Sequence, residues 1–196
     1  MSRDLAVVIL AGGEGTRIGG GKPLRLLGGK RLIDRALRQA RGWSNDVAIA
    51  VRDEAQLGEV DAELIVDEPG IGGPLAGLAA GLRFAERSGS PMLLSIPADA
   101  PFLPGDLPQR LRASMKGNAC ALPSSAGQLH PSCGLWRVSA AIDHLPAYLQ
   151  TGRRSLTGFA QLIGYVAVDW EAGPPDPFFN INSSADLAEA ERHAGR

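Results

Sequence analysis

A short apolar run that stops at a cluster of glycines constrains this chain more than any other feature. Residues 5–10, Leu-Ala-Val-Val-Ile-Leu, are continuously aliphatic, which is typical of a parallel strand buried on both faces. Six glycines follow between positions 12 and 21. Because glycine can adopt positive φ and lets a ligand approach the backbone closely, the pattern predicts a central strand that leads directly into a ligand-binding loop.

The rest of the chain alternates between strand and helix patterns. Helical periodicity is found over 32–41 (with Gly42 as its stop), 74–87, 107–115, 140–149 and 184–192. Apolar strand patterns are found over 47–51, 64–66, 92–96, 119–122, 134–138 and 165–168. This alternation is the signature of an α/β protein with a mostly parallel sheet. With 196 residues, 44% of them hydrophobic, we expect one three-layer α/β/α Rossmann-like domain spanning 1–196.

Composition narrows the classes of partner. The formal charge of −1 gives no electrostatic footprint for nucleic acid or an anionic membrane, so a small-molecule partner is favoured. Cys120 and Cys133 lack the spacing of a zinc or redox site and are interpreted as core residues. The sequence around Asp4 lacks the basic region of a signal peptide, and nothing reaches the roughly 18 apolar residues of a membrane span. We expect a cytoplasmic protein.

The glycine loop differs from two familiar phosphate-binding loops. A Walker loop requires glycine where this chain has Thr16, and Ser or Thr where it has Pro23. The dinucleotide fingerprint fails because Ile18 occupies its third glycine position. What remains is a strand and a loop carrying Arg17 and Lys22, a guanidinium fork and an ammonium that suit phosphate oxygens. The alternative is a glycine-rich surface turn with two solvated cations.

The loop and the residues after it resemble a family signature. The run Leu-Ala-Gly-Gly-x-Gly-x-Arg-x-Gly-Gly-x-Lys-Pro-Leu over 10–24, followed by Leu-Gly-Gly-Lys-x-Leu-Ile-Asp, is similar to the opening of molybdenum cofactor guanylyltransferases. Enzymes of that family transfer GMP from GTP to the terminal phosphate of molybdopterin and release pyrophosphate. The resemblance implies catalytic roles for Arg17 and Lys22, and it implies nucleotide-binding roles for Leu10, Ala11, Gly12, Gly13 and Lys22.

Asp99 is the candidate metal ligand. It follows the strand pattern 92–96 in a loop that three prolines over 97–104 hold in place. Nucleotidyl transfer needs a metal to neutralise the triphosphate, and α/β proteins bind ligands at the carboxyl ends of their strands. The resemblance implies that Asp99 is catalytic, ligates Mg²⁺ and contacts the nucleotide, although Ala98 replaces the family's usual cysteine. The alternative is a turn-forming or N-capping aspartate.

A second acidic turn follows the strand pattern 64–66. Asp67 precedes a Gly-Pro-Leu-Ala-Gly segment that begins at Gly73 and Pro74. In the family that the chain resembles, the matching acid and loop contact the base and ribose of the nucleotide. From the residues alone, Asp67 or Glu68 is equally an ordinary turn acid.

Three further elements are candidates for substrate binding. An imidazole at His130 can meet an acidic substrate, although a lone loop histidine is more often solvated. Arg153 and Arg154 form a cationic pair suited to a phosphate monoester or to a solvated turn. Asn180 and Asn182 alternate, so an extended backbone puts both amides on one side. The resemblance implies that the histidine and the two arginines lie on the pterin side of the site. It implies that the asparagines contact the nucleotide, the metal or the pterin. The alternative for the asparagines is that their amides stabilise the turn before the last helix.

The substrates implied are GTP and molybdopterin or molybdenum cofactor, with Mg²⁺ as cofactor and with proteins that donate or accept the molybdenum cofactor as further partners. Two residues depart from the family pattern: Gly21 replaces an aspartate before the loop lysine, and Ala50 replaces an asparagine that follows the second strand. Cytidylyl relatives tend to begin Leu-Ala-Ala-Gly, so Gly12 and Gly13 favour guanine.

Two alternatives stay open at this level. One is another nucleotidyltransferase of the same chemistry, acting with cytidine nucleotides or on a sugar or isoprenoid precursor. The other is a catalytically silent nucleotide-binding domain, against which the presence of both Lys22 and Asp99 argues.

Overall fold

The computed structural model of the chain describes residues 4–12 and 22–194. Gly13 and Arg17, two of the predicted site residues, lie outside these ranges. The strands within them are β1 (Ala6–Leu10), β2 (Leu26–Leu27), β3 (Lys30–Arg31), β4 (Asp46–Val51), β5 (Glu63–Val66), β6 (Met92–Pro97), β7 (Cys120–Ser125), β8 (Gln128–Leu129), β9 (Leu135–Arg137) and β10 (Tyr165–Trp170). The α-helices are α1 (Leu32–Trp43), α2 (Pro74–Arg87), α3 (Leu107–Met115), α4 (Val138–Gln150), α5 (Leu156–Ile163) and α6 (Ser184–Ala194).

The main sheet has the strand order β10-β7-β9-β6-β1-β4-β5, with β8 attached to β7. β1 lies between β4 and β6 and is parallel to both, and β10 is parallel to β7. β9 runs antiparallel between β6 and β7. The predicted central strand and mostly parallel sheet are therefore confirmed.

Alternate residues of β1 face two different cores. Val7 and Ile9 belong to the cluster that packs against α1 and α3. Ala6 and Val8 belong to the cluster that packs against α2, α4 and α5. Because successive side chains of a strand point to opposite faces, this division gives the three-layer α/β/α arrangement. None of the helices within the described ranges is long and apolar enough to cross a membrane.

Three local features differ from the sequence expectation. The helix α1 does not end before Gly42 but continues to Trp43. The Trp43 indole donates to the carbonyl of Gly105 at 2.8 Å, which holds this last residue of the helix in place. The helix α5 was not predicted, although its Ser155 N-cap accepts from the N–H of Gly158 at 3.1 Å. The β2–β3 hairpin, with two residues in each strand, is too short to give a sequence pattern.

The contact of α2 with β1 depends on a glycine. A Cβ placed on Gly81 would lie 2.7 Å from Cγ1 of Val8. We therefore expect Gly81→Ala to lower the free energy of unfolding by about 1–3 kcal/mol, the usual cost of overpacking. Gly42→Ala is the matched control, because a Cβ there meets nothing within 4 Å and alanine favours a helix by roughly 0.5–1 kcal/mol. Urea denaturation of the two variants should give shifts of opposite sign.

Candidate active site

A cavity of about 500 Å³ opens at the carboxyl edge of β1, β4, β5 and β6. A volume of this size is in the range of sites for small molecules and cofactors. Its walls are made by strand ends and the residues that follow them, by Lys22 and Pro23, by the first turn of α2 and the turn before it, and by Ser132 and Asn180. The lining residues are Leu10, Ala11, Gly12, Lys22, Pro23, Arg52, Asp67, Ile71, Gly72, Gly73, Pro74, Ala76, Gly77, Pro97, Ala98, Asp99, Ser132 and Asn180.

One end of the cavity carries a cationic and an anionic side chain in contact. The Lys22 ammonium donates to the Asp99 carboxylate and, at 2.7 Å, to Oδ1 of Asn182. The side chains of Lys22 and Asp99 are 16% and 17% exposed, so both groups are largely desolvated but still open to the cavity. An ammonium and a carboxylate at the same sheet edge can hold a phosphate chain and a cation together.

Backbone hydrogen bonds fix this end of the site. The N–H of Ala98 donates to the carbonyl of Leu10 at 3.1 Å, which joins the ends of β6 and β1. The N–H of Ile181 donates to the carbonyl of Asp99 at 3.0 Å. Asp99 is therefore held between the central sheet and the segment that carries the two asparagines.

The other end of the cavity is formed around Asp67, which follows β5, because β1 and β4 lie between β5 and β6 in the sheet. Oδ1 of Asp67 is buried and has no hydrogen-bond partner within the described ranges. Burial raises the pKa of Asp67 above its ordinary value, and the positive charge of Arg52 partly opposes that rise. A buried carboxylate oxygen without a partner is costly, so a ligand that donates a hydrogen bond to this atom would offset that cost.

Two glycines leave room for the Asp67 carboxylate. A Cβ on Gly12 would overlap its Oδ2, and a Cβ on Gly77 would lie 3.1 Å from its Oδ1. Ala50 borders the same place, since its Cβ would be 3.2 Å from that added to Gly77. The neighbouring acid Glu68 instead pairs with Arg83 at 3.0 Å. The two acids thus differ: Glu68 is a surface ion-pair partner, whereas Asp67 lines the cavity.

The residues around Asp99 suit a magnesium ion. Oδ1 of Asn180 is a second buried oxygen without a hydrogen-bond partner in the described part of the chain, and it lines the same cavity as Asp99. Carboxylate and amide oxygens are hard ligands of the kind that Mg²⁺ accepts. No cluster of three or more His, Cys, Asp or Glu side chains that could hold a metal ion occurs within 4–12 and 22–194, so substrate phosphates and water would complete the coordination.

His130 is engaged in packing rather than in lining the cavity. Its ring stacks on Phe178 with centroids 4.8 Å apart, and its Nε2 lies 2.7 Å from the Ser125 hydroxyl. Burial lowers the pKa of His130, and the charge of Asp176 acts in the opposite direction. The pterin contact expected of His130 stays a prediction.

The arginine pair also lies off the cavity wall. A terminal nitrogen of Arg154 donates to the carbonyls of Leu149, at 3.0 Å, and Arg153, at 2.7 Å. Arg154 therefore satisfies the Leu149 carbonyl at the end of α4, and Arg153 is exposed beside it. Their binding to a substrate phosphate stays a prediction.

The cavity brings together nine of the residues expected at the site, namely Leu10, Ala11, Gly12, Lys22, Asp67, Gly73, Pro74, Asp99 and Asn180. Asn182 joins them through its hydrogen bond to Lys22. The sequence prediction missed Arg52 and Ser132, which also line it. A signal for Arg52 was present, because it directly follows β4 at the carboxyl edge. Ser132 lies in a single turn of 3-10 helix, Pro131–Cys133, which no sequence pattern marks.

A mostly parallel α/β sheet whose carboxyl edge carries a lysine, carboxylate and amide oxygens and a cavity of about 500 Å³ is compatible with the class of nucleotidyltransferases. The chain belongs to the MobA-like NTP transferase family: the model of that domain matches residues 7–163. The molybdenum cofactor guanylyltransferase of Acidiphilium cryptum is 43% identical over 196 residues, covering 98% of this chain and 95% of that one. The molybdenum cofactor guanylyltransferase of Cereibacter sphaeroides is 40% identical and covers 94% of each chain.

Solved structures agree with this placement. Molybdopterin-guanine dinucleotide biosynthesis protein A from Archaeoglobus fulgidus superposes with a TM-score of 0.77 at 27% identity, covering 97% of this chain and 98% of that one. The 2-C-methyl-D-erythritol 4-phosphate cytidylyltransferase of Thermus thermophilus gives 0.73 at 19% identity, covering 98% of this chain and 100% of that one. The second likeness extends to the fold alone.

Proposed function

We propose that this chain transfers GMP from GTP to the terminal phosphate of molybdopterin or molybdenum cofactor and releases pyrophosphate. The observation that carries the proposal is one cavity with two distinct ends. A buried acceptor on Asp67 without a hydrogen-bond partner among the described residues lies at one end, and the contact between Lys22 and Asp99 lies at the other. The first end suits a base with hydrogen-bond donors, and the second suits a triphosphate.

Asp67 supports guanine over the other bases. Guanine carries two adjacent donors, the ring N1–H and the exocyclic N2–H₂, on one edge, and a carboxylate accepts from such a pair with both oxygens. Adenine and cytosine offer one amino group beside a ring nitrogen that is itself an acceptor. A carboxylate facing that acceptor is repelled, so the same residue attracts guanine and disfavours its competitors.

The chemistry needs no covalent enzyme intermediate. An oxygen of the acceptor phosphate attacks the α-phosphorus of GTP in line, the bond to the β-bridging oxygen breaks, and the electron pair leaves with pyrophosphate. A phosphate monoester is already mostly ionised near neutral pH, so no dedicated general base is required. Lys22 holds the triphosphate and stabilises the negative charge that develops on it.

We further propose Mg²⁺ as the cofactor, held by Asp99 and Asn180. When bound, Mg²⁺ supplies positive charge that neutralises the triphosphate and orients the α-phosphate. The buried Oδ1 of Asn180, which has no partner within 4–12 and 22–194, supports its place in the ligand set. Asn182 keeps the Lys22 ammonium beside this group of oxygens, at 2.7 Å.

The remaining parts of the proposal concern the acceptor and its surroundings. His130, Arg153 and Arg154 are proposed for the pterin side, and Arg17 and Gly13 for the triphosphate. A single domain over 1–196, a cytoplasmic location and proteins that donate or receive the cofactor complete the proposal.

Asp67→Asn tests the guanine assignment. The amide keeps the size of the side chain but replaces one acceptor by a donor, so GTP should bind about 10- to 100-fold more weakly, the scale of a hydrogen bond to a charged group. ATP and CTP should not lose affinity and should bind more tightly, because the amide can donate to the ring acceptor that the carboxylate repels. Displacement of a fluorescent GTP analogue by each nucleotide measures all three.

The control for this substitution is Glu68→Gln, which alters the adjacent acid that pairs with Arg83. It should leave the ratio of GTP to CTP affinity unchanged. Equal affinities of the wild-type chain for GTP and CTP, or an Asp67→Asn variant that discriminates as the wild type does, would remove the guanine assignment.

A further inference from the structure

We propose that Asp186 in α6 is a positioning residue for nucleotide binding, acting through Asn182 on the ammonium of Lys22. The inference rests on the proposed function, because it assigns Lys22 to the triphosphate. Asp186 and Asn182 both lie beyond residues 7–163, the range matched by the family's domain.

Asp186 fixes the backbone of Asn182. Its Oδ2 accepts from the N–H of Asn182 at 2.7 Å and from the N–H of Ser183 at 2.8 Å. The Ser183 hydroxyl accepts in return from the N–H of Asp186 at 3.1 Å. This reciprocal pattern is a capping box at the start of a helix. Here the Asp186 carboxylate also accepts from the backbone N–H one residue earlier, that of Asn182, whose side chain contacts Lys22.

Asn182 transmits this position to Lys22. Its Oδ1 accepts from the Lys22 ammonium at 2.7 Å, and its Nδ2 donates to the carbonyl of Asn180 at 3.3 Å. Asn182 is exposed, so packing does not hold its amide in place. The direction in which Oδ1 points therefore depends on two other hydrogen bonds of Asn182. Its backbone N–H donates to Asp186, and its Nδ2 donates to the carbonyl of Asn180.

The helix itself is anchored independently of Asp186. Ala190 packs with Leu27, Leu32 and Ile181 in a separate apolar cluster, and Oε1 of Glu191 accepts from the N–H of Gly28 at 2.9 Å. Removing the Asp186 carboxylate should therefore leave α6 docked and loosen only the links to the N–H groups of Asn182 and Ser183. The variant is expected to fold, which makes the proposal testable in the full chain.

Electrostatics separates a positioning role from a charge effect. GTP is strongly anionic, so removing a nearby acid should strengthen its binding if charge alone matters. If Asp186 instead positions Lys22, its removal should weaken GTP binding. Glu189→Ala is the matched control, because Glu189 is an exposed acid on the same helix and no hydrogen bond or ion pair to it is found in the described part of the chain.

Calorimetric titration with GTP and Mg²⁺ is the first test. We expect Asp186→Ala to weaken GTP binding about three- to tenfold, the scale of one lost helix cap. Asp186→Asn retains an amide oxygen that can accept from both N–H groups, so it should stay within about twofold of the wild type. Glu189→Ala should bind GTP as tightly as the wild type or slightly more tightly.

A double-mutant cycle identifies the path. In an Asn182→Ala background, Asp186→Ala should change GTP affinity by less than about twofold, because the residue through which it acts is gone. An undiminished effect in that background would overturn the proposal. So would GTP binding to Asp186→Ala that matches the Glu189→Ala control.

A second readout does not depend on GTP. Brief treatment with acetic anhydride, followed by peptide mass spectrometry, measures how readily each of the three lysines is acetylated, with the exposed Lys30 and Lys116 as internal standards. Lys22 should be acetylated several-fold faster in Asp186→Ala and Asn182→Ala than in the wild type or Glu189→Ala. Failure of the wild-type chain to bind GTP would defeat the proposed function, whereas unchanged acetylation of Lys22 would defeat the role of Asp186.

Discussion

Asp99→Ala is expected to lower the rate of GMP transfer by about 10³-fold or more, the scale for loss of a group that organises charge in the transition state. Asp99 is the carboxylate that contacts Lys22, and it lines the same cavity as Asn180. Without it, the proposed Mg²⁺ site loses its only charged ligand from the described residues. Pyrophosphate release, followed with GTP, Mg²⁺ and molybdopterin, measures the effect.

The fold should tolerate this substitution. Asp99 receives the N–H of Ile181 through its backbone carbonyl, at 3.0 Å, and alanine preserves that bond. The melting temperature should therefore stay within about 3 °C of the wild type. Asp106→Ala is the control, since Asp106 is exposed before α3 and its side chain makes no capping hydrogen bond. Near-normal pyrophosphate release by Asp99→Ala would contradict the metal assignment.

Lys22→Ala is expected to weaken GTP binding by about 10- to 100-fold, the scale of a hydrogen bond to a charged group in a partly buried site. The Lys22 side chain is 16% exposed, so the solvent screens its charge less than that of a surface lysine. Calorimetric titration of the variant with GTP and Mg²⁺ measures the loss.

Lys30→Ala provides the comparison for Lys22. Lys30 is exposed in β3, so its removal subtracts the same formal charge from the chain without altering the cavity. It should change GTP affinity by less than about twofold, as expected for an exposed charge. Equal losses in the two variants would show that Lys22 contributes only its long-range charge, contrary to its proposed contact with the triphosphate.

The sheet and its helices could be predicted because their signals are local. The aliphatic run of β1 and the spacing of apolar residues in α1 and α2 are visible within a dozen positions. The direction of β9 could not be predicted in this way, since an antiparallel strand between β6 and β7 has the same local pattern as a parallel one.

The residues of the site likewise fall into those with a local sequence signal and those whose contacts depend on the tertiary structure. Asp67 directly follows β5 and Asp99 lies two residues beyond β6, so their position at one sheet edge follows from the fold. The hydrogen bond from Lys22 to Asn182 joins residues 160 positions apart, and no spacing rule predicts it. The stacking of His130 on Phe178 is of the same kind, because it depends on how the segment before α6 returns to the sheet.

The identity of the reaction is tested most directly by analysis of its product. The purified chain is incubated with molybdopterin, Mg²⁺ and GTP, CTP, ATP or UTP in separate reactions, and the products are separated and identified by mass spectrometry. We expect the guanine dinucleotide of molybdopterin with GTP, in equal amount to the pyrophosphate released, and no comparable product with the other nucleotides. A cytidine dinucleotide formed without the guanine one would contradict the proposed function.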